Sequence, residues 1–400
     1  MEIFDAKKFI DEQVERIRRV IGGEKALIAV SGGVDSTTSA VLTYRAIGKN
    51  LICVILDDAF MREDEPERVA ETLSKPPLSL PIKVVDVRRE FLEVLSGIRD
   101  AEEKRKRFRE QFYTVLSRIA RSEGCSVLVQ GTILADIIET VKAIKTQHNV
   151  LEQIGIEPKV KYGFKVVEPL ASLLKWQVRE VARELGVPRE ISERQPFPGP
   201  GLSVRVVGEV TEEKLEVLKR CTSIVESELH YLAPSQYFAA IIDDVEECNE
   251  ELYKIVRREA SQVLGVTEDL VLPRIYSTPV TGMIGDERRY GKMVDVKILG
   301  RDGSPVLMDI EDLIPLQARI IEAAPSLTRV VYTVSVGCEE GPYAIIVRSV
   351  ETKDFLTASV SKVPRNLLLR LANKIIKSCE KVSRVSYDIT PKPPATIEME

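Results

Sequence analysis

Apolar residues recur along the first half of the chain in short blocks separated by longer amphipathic stretches, and their spacing decides what each block becomes. Residues 1–20 place apolar positions at helical intervals and read as an amphipathic lead helix. Four compact runs follow, Ala26–Val30, Leu51–Leu56, Ile82–Asp86 and Ser126–Gln130. They are too short for helices and suit strands covered on both faces. Between them, Thr37–Ile47, Glu63–Leu73 and Glu102–Ser122 carry helix-compatible patterns. This alternation predicts an α/β fold with a doubly wound parallel sheet. Ligands of such sheets bind beyond the carboxyl ends of the strands, where residues 31–36, Asp57-Asp58 and Gln130-Gly-Thr132 all fall.

The alternation stops at Gln195-Pro-Phe-Pro-Gly-Pro-Gly-Leu202. Its prolines and glycines cannot continue a helix or a central strand. The expected organisation is therefore a first domain over residues 1–202 and a second, α+β domain over 203–400. The second contains a helix over Glu209–Leu229 and strand-like runs including Arg329–Val336 and Pro342–Val350.

Composition narrows the class. The 400 residues, 44% hydrophobic, suit a soluble globular protein with a sizeable core. A net charge of −5 argues against a whole-chain electrostatic grip on nucleic acid, and no stretch approaches the roughly 20 apolar residues of a membrane span. Cys53, Cys125, Cys221, Cys248, Cys338 and Cys379 are scattered, with no C-x-x-C pair and no signal peptide. They read as buried structural thiols of a cytoplasmic protein. Only His148 and His230 exist to complete a metal site.

The chemistry concentrates in Ser31-Gly32-Gly33-Val34-Asp35-Ser36, placed where a strand turns into a helix. A helix N-terminus offers unpaired N–H groups and the positive end of the macrodipole, and glycines let a backbone approach an anion closely. Ser31 and Ser36 add hydroxyl donors. Asp35 adds a carboxylate suited to hold Mg2+ against phosphate oxygens. A Walker A loop would need Gly-Lys-Ser/Thr, and the dinucleotide fingerprint a third glycine; neither is here.

The hexapeptide resembles the PP-loop of the N-type ATP pyrophosphatases, which cleave ATP between its α and β phosphates. Further stretches resemble GMP synthetase in its ATP pyrophosphatase part: Arg99–Lys106, Gln130–Glu139, Ile144–Val150, Pro196–Leu202, Gly285–Tyr290 and Tyr387–Glu398. The resemblance implies an adenine nucleotide alpha hydrolase-like domain followed by a dimerisation domain. It also implies a ligase that uses ATP and Mg2+ to adenylylate the O2 of XMP, releasing pyrophosphate, before ammonia displaces AMP to give GMP. Ser31, Gly32, Gly33, Val34, Asp35 and Ser36, with Lys175, then match the ATP and pyrophosphate site, and Asp35 the metal ligand. Asp136, Glu139 and Lys145 match catalytic positions on a mobile lid around residues 133–160. Arg105, Gln236, Arg384, Lys392, Ile397, Glu398 and Glu400 match positions that hold XMP, and Lys145 matches one of these too.

Several positions depart from that family. Gln147-His148-Asn149 replaces a paired histidine in the lid, Gln195 a histidine, Asp57-Asp58-Ala59 an Asp-His/Asn-Gly, and Met399 a tryptophan. Extra chain appears around residues 245–272 and 294–341. No glutaminase region with a nucleophilic cysteine is present, so ammonia is expected free or from a separate glutamine amidotransferase subunit, and the chain is expected to form a homodimer. Two other readings are a PP-loop tRNA-modifying enzyme, which would need paired cysteines and a basic face, and a nucleotide-binding paralogue with altered catalysis.

Overall fold

The four apolar runs of the first half become the parallel strands β1 (Lys25–Ala29), β2 (Leu51–Asp57), β3 (Ile82–Asp86) and β4 (Cys125–Val129), and Lys165–Val167 adds a fifth, β5, in the order β3-β2-β1-β4-β5. The structure is a computed structural model and describes residues 4–141, 157–285, 287–353 and 356–400. Helices cover the sheet because their apolar faces match the strands. The lead helix Ala6–Ile21, capped by Asp5, buries Ile10, Ile17 and Ile21, and Val34–Ile47 buries Val41 and Leu42 in the same core as Ile28, Ile55 and Val127. Strand order reverses between β1 and β4, so the loop after β1 opens at the topological switch point of a doubly wound sheet.

The chain divides into two compact units, one of Met1–Leu95 with Arg105–Pro200 and one of Ser96–Lys104 with Gly201–Glu400. This departs from a cut at residue 202, because Ser96–Lys104 goes with the second unit. Lys104 explains the assignment: it is fully buried and donates to the carbonyls of Ser203, Val206 and Gly208 at 3.4, 2.8 and 2.8 Å.

The second unit is a nine-stranded mixed sheet carrying helices. Its strands are β6 (Val206–Val207), β7 (Gln236–Asp243), β8 (Val271–Ile275), β9 (Val280–Ile284), β10 (Glu287–Ile298), β11 (Leu327–Val336), β12 (Tyr343–Glu351), β13 (Ser359–Val360) and β14 (Val382–Asp388). The path is β6-β7-β12-β14-β11-β10-β8, with β13 on β12 and β9 on β10. The extra chain around 294–341 is therefore no appendage. It supplies the last five residues of β10, the helix Ile310–Ala323 and β11, which pairs directly with β14. The 245–272 stretch supplies the helix Glu250–Leu264, capped by Asn249, and the first residues of β8.

Four of the six thiols are buried as expected, and burial pushes Cys53 up to about 12. Cys248 and Cys338 are exposed, contrary to that expectation, because both sit in connecting segments rather than in strands or helices.

Candidate active site

In the first unit the loop of residues 31–36 is held by its own hydroxyls. Ser36 Oγ accepts from the Ser31 amide at 3.2 Å and lies 3.1 Å from Ser31 Oγ, while the Gly33 amide donates to Ser31 Oγ at 3.4 Å. Gly33 is the N-cap of the helix Val34–Ile47 and has no side chain to accept from the first amides. Those amides therefore face outward with the positive end of the helix dipole, an arrangement that binds anions. Gly32 has a different reason to be glycine than close approach to an anion. Its φ is +74°, and a Cβ would come within 2.7 Å of Val69. The close approach belongs instead to Gly131 after β4, where a Cβ would lie 2.8 Å from the Ser36 amide nitrogen.

Lys175 opens the helix Lys175–Glu184 and donates to Asp35 Oδ2 at 2.6 Å, although 140 residues separate them. Asp35 Oδ1 is buried and takes no hydrogen bond from the protein. A carboxylate with one oxygen fixed by lysine and the other unsatisfied, beside an anion-binding helix terminus, fits a Mg2+ completed by phosphate oxygens. Among the described residues no group of three His, Cys, Asp or Glu could hold a metal alone. A second anchor nearby in the chain fixes the proline-rich turn: Arg62 and Arg194 both pair with buried Glu65, and the Arg62 guanidinium stacks 4.2 Å from the Phe197 ring centroid.

Of the lid residues, Asp136 lies on the helix Leu134–Val141 and accepts from the Ile133 amide at 3.0 Å, so one carboxylate oxygen works as a helix cap. Glu139 follows on the same helix, and Lys145 lies outside the described residues, as do Gln147 and His148. Arg105 belongs to the first unit, half-buried on the helix Ala101–Glu123.

In the second unit, Lys392–Glu400 is pinned rather than loose. Lys392 pairs its backbone with Ala358, and Ile397 and Met399 pack into the core with Phe238 and Ile346. Met399 fills a core position, which accounts for an apolar residue there. Two fully buried arginines converge on the buried carboxylate of Asp388: Arg329 from β11 at 2.5 Å and Arg348 from β12 at 2.8 Å. Their remaining donors reach the segment itself. Arg329 donates to the Thr396 carbonyl at 2.8 Å, and Arg348 to the Ile397 and Thr396 carbonyls at 2.9 and 3.0 Å. Burial pushes Arg329 down to about 10, against the pull of Asp388.

The same segment presents two carboxylates. Glu398 is bound by Arg205 through two 3.0 Å contacts and by Gln236 Nε2 at 3.1 Å; Glu400 is bound by Lys104 and by the Gly208 amide at 2.7 Å. Glu400 thereby reaches past Val207, which stands opposite Ile242, whereas Gln236, Ile397, Glu398 and Lys392 share the end of the sheet where β7 begins. Arg384 does not. It stands opposite Ala344, which stands opposite Ile242, six residues along β7 from Gln236. That offset is roughly 20 Å at about 3.3 Å per residue. There Arg384 pairs with Asp244 at 3.3 Å and lies 3.8 Å from Asp295, which burial holds above the usual carboxylate range. Its charge is absorbed by these carboxylates, so the grouping of Arg384 with the other candidate acceptor residues is not what this unit shows.

Lys104, Arg205, Arg329, Arg348 and Asp388 are functional supports that the sequence did not reveal. One signal could have found Lys104. Ala101, Lys104 and Phe108 recur at helical spacing, and all three are buried. Arg329 and Arg348 lie within apolar strands and Arg205 immediately precedes β6, and none of them carries a local mark.

A loop without Gly-Lys-Ser/Thr, opening a helix at the switch point of a parallel sheet, defines the class of PP-loop ATP pyrophosphatases. Comparisons with known proteins specify it further. Residues 2–218 match the family model for NAD synthase and residues 338–399 that for the GMP synthase C terminal domain. The chain is 45% identical to the second-lettered subunit of the glutamine-hydrolyzing GMP synthase of Sulfurisphaera tokodaii over 397 residues, 99% of this chain and 100% of that one. It is 42% identical to the protein of the same name from Methanopyrus kandleri and 40% to that from Saccharolobus solfataricus, each match covering 100% of both chains. The chain belongs to this family of GMP synthase subunits. Because these matches run full length, the extra segments around 245–272 and 294–341 are shared with these relatives.

Proposed function

We propose that this chain is the ATP-using ligase subunit of a GMP synthase. It adenylylates the O2 oxygen of XMP and then lets ammonia displace AMP to give GMP. The observation that carries the reading is the open helix terminus of Ser31–Ser36 with the Asp35–Lys175 pair beside it. In the first step the XMP oxygen attacks the α-phosphorus and pyrophosphate leaves. In the second, ammonia attacks C2 of the base and AMP leaves with the oxygen.

The protein's task is to hold charge and position groups. The amides of Val34, Asp35 and Ser36 and the hydroxyls of Ser31 and Ser36 bind the leaving pyrophosphate. Lys175 moves between Asp35 and phosphate oxygens. Asp35 would hold Mg2+, which would supply neutralisation of the charge on the phosphates. Asp136, Glu139 and Lys145 are read as catalytic positions, Arg105 and Lys392 as positions that hold XMP, and Gln236 and Glu398 as facing the base. Two further parts of the reading are a homodimer and a separate glutaminase subunit. The latter is supported by relatives named as one lettered subunit of an enzyme that is called glutamine-hydrolyzing.

Pyrophosphate release measured with ATP-Mg2+, ammonia and XMP tests the reaction. Stimulation by XMP is expected, and its absence with all three at saturation overturns the reading. Gel filtration with the cognate glutaminase, ATP-Mg2+ and XMP tests the partner. No complex, together with glutamine failing to replace ammonia, overturns that part alone.

A further inference from the structure

We propose that Arg205 is a positioning residue for the acceptor nucleotide, acting through the carboxylate of Glu398. The inference rests on the reading of Lys392–Glu400 as acceptor-binding and extends it to a residue outside that segment. Arg205 follows the short 3-10 turn Gly201–Val204 that ends the proline- and glycine-rich stretch, and enters β6. It is 1% exposed, its guanidinium stacks 4.0 Å from the Phe238 ring centroid, and its fork meets Glu398 with Nε on Oε2 and an Nη on Oε1.

Two consequences follow from that fork. A carboxylate offers about four acceptor directions, and Arg205 and Gln236 occupy three. The direction left over is on Oε2, on a side chain that keeps 16% of its surface exposed. Purine nucleotides carry the matching donors, a ring N–H or a ribose hydroxyl. The second consequence concerns charge. A nucleotide monophosphate is an anion, and an uncompensated carboxylate at its site would repel it. Arg205 cancels the Glu398 charge while fixing the plane in which the remaining lone pair points. Arg329 and Arg348 differ, since they grip backbone carbonyls and Asp388 and determine where the segment runs. Arg329 also reaches the Thr396 hydroxyl, but Arg205 alone of the three binds a carboxylate of the segment itself.

The test is steady-state pyrophosphate release by the full chain with ATP-Mg2+, ammonia and XMP, for Arg205→Leu, Arg205→Lys, Glu398→Gln and the double variant Arg205→Leu/Glu398→Gln. Arg205→Leu should raise the KM for XMP at least about tenfold while the KM for ATP stays within about twofold, because a buried charge loses its partner. The double variant should be no worse than Glu398→Gln alone, because Arg205 acts only through that carboxylate. Arg205→Lys, which keeps the charge and loses the fork, should fall between. Equal rises in both KM values, an unchanged XMP KM in folded Arg205→Leu, or a double variant much worse than Glu398→Gln each overturns the proposal. If Arg205→Leu does not fold, folded Arg205→Lys with wild-type XMP KM overturns it and a selective rise supports it. A wild type that XMP does not stimulate overturns the underlying reading and this proposal together; an unmoved XMP KM in the Arg205 variants, with XMP-dependent wild type, overturns this proposal alone.

Discussion

The phosphate loop and the C-terminal segment reach a fixed shape by opposite means. Ser31–Ser36 is shaped by hydroxyls and amides within six residues of one another, and its main long-range contacts are Lys175 and the glycine at 131. Lys392–Glu400 is held by side chains from β7, β11, β12 and the residues around 104 and 205, and the decisive ones are buried charges. A local device is cheap to build and tolerates change elsewhere in the fold. A long-range one ties its site to the stability of the whole unit.

That contrast is broken most directly at Arg329. Arg329→Met should destabilise the second unit by about 3–5 kcal/mol, because several carbonyls lose their donor and Asp388 loses one of two cations. Urea unfolding checks it. A change below about 1 kcal/mol would mean that the segment does not depend on the network. The counterpart at the loop is Asp35→Asn, which should cut kcat/KM for ATP by roughly 10²–10³ and leave the unfolding midpoint within a few degrees. A large fall in stability at Asp35 would erase the distinction between the two regions.

The same contrast explains what was legible in the sequence. The α/β alternation, the loop and its helix could be read because each is encoded within about 20 residues. β5 escaped notice, with only Lys165–Val167 in the strand. Arg329, Arg348 and Asp388 could not be read at all: the partners of the two arginines lie between 40 and 69 residues away, and a lone arginine in an apolar strand looks the same whether it points to solvent or into a buried network. The extra chain looked like an insert for a related reason. Only its pairing with β14 shows that β11 is interior.

Gly131 sharpens the local half of the comparison. Gly131→Ala places a Cβ 2.8 Å from the Ser36 amide nitrogen and 2.9 Å from the Asp35 carbonyl carbon, both backbone atoms that cannot rotate away. A displaced loop should lose roughly 10- to 100-fold in kcat/KM for ATP with the KM for XMP unmoved. An unchanged ATP parameter would show that the loop is less constrained by β4 than the packing implies.

The helices over the second sheet extend the long-range half to pH. Glu228, nearly buried at the end of the helix Glu212–Leu229, is paired with Lys374 and Arg370 of the helix Arg365–Ser378. Lys374 above all, and Arg370 against the opposing effect of burial, hold its carboxyl below the ordinary glutamate value of 4.5. A carboxyl lowered by folding stabilises the fold above its unfolded pKa, and that contribution fades as pH falls through the folded one. Wild type should therefore exceed Glu228→Gln in urea midpoint at pH 7, with the gap closing below about pH 4.5. A gap that persists at about pH 3 would assign the effect to packing.

The smallest effect belongs to Ala59, beside the loop of Asp57 and Asp58. Its φ is +74°, in the left-handed region where an L-residue is strained and glycine is not. The turn holds it there: Asp57 Oδ1 accepts the Ala59 amide at 3.3 Å and Asp58 Oδ1 the Phe60 amide at 2.9 Å. Ala59→Gly should stabilise the first unit by about 0.5 kcal/mol, the relief of left-handed strain less the added freedom of glycine in the unfolded chain. The sign of the change in urea midpoint separates the two terms. A lower midpoint would mean that chain entropy outweighs the strain, and the turn would then be held by its side-chain acceptors strongly enough to fix a disfavoured backbone, a small counterpart within the first unit of the way Lys392–Glu400 is held in the second.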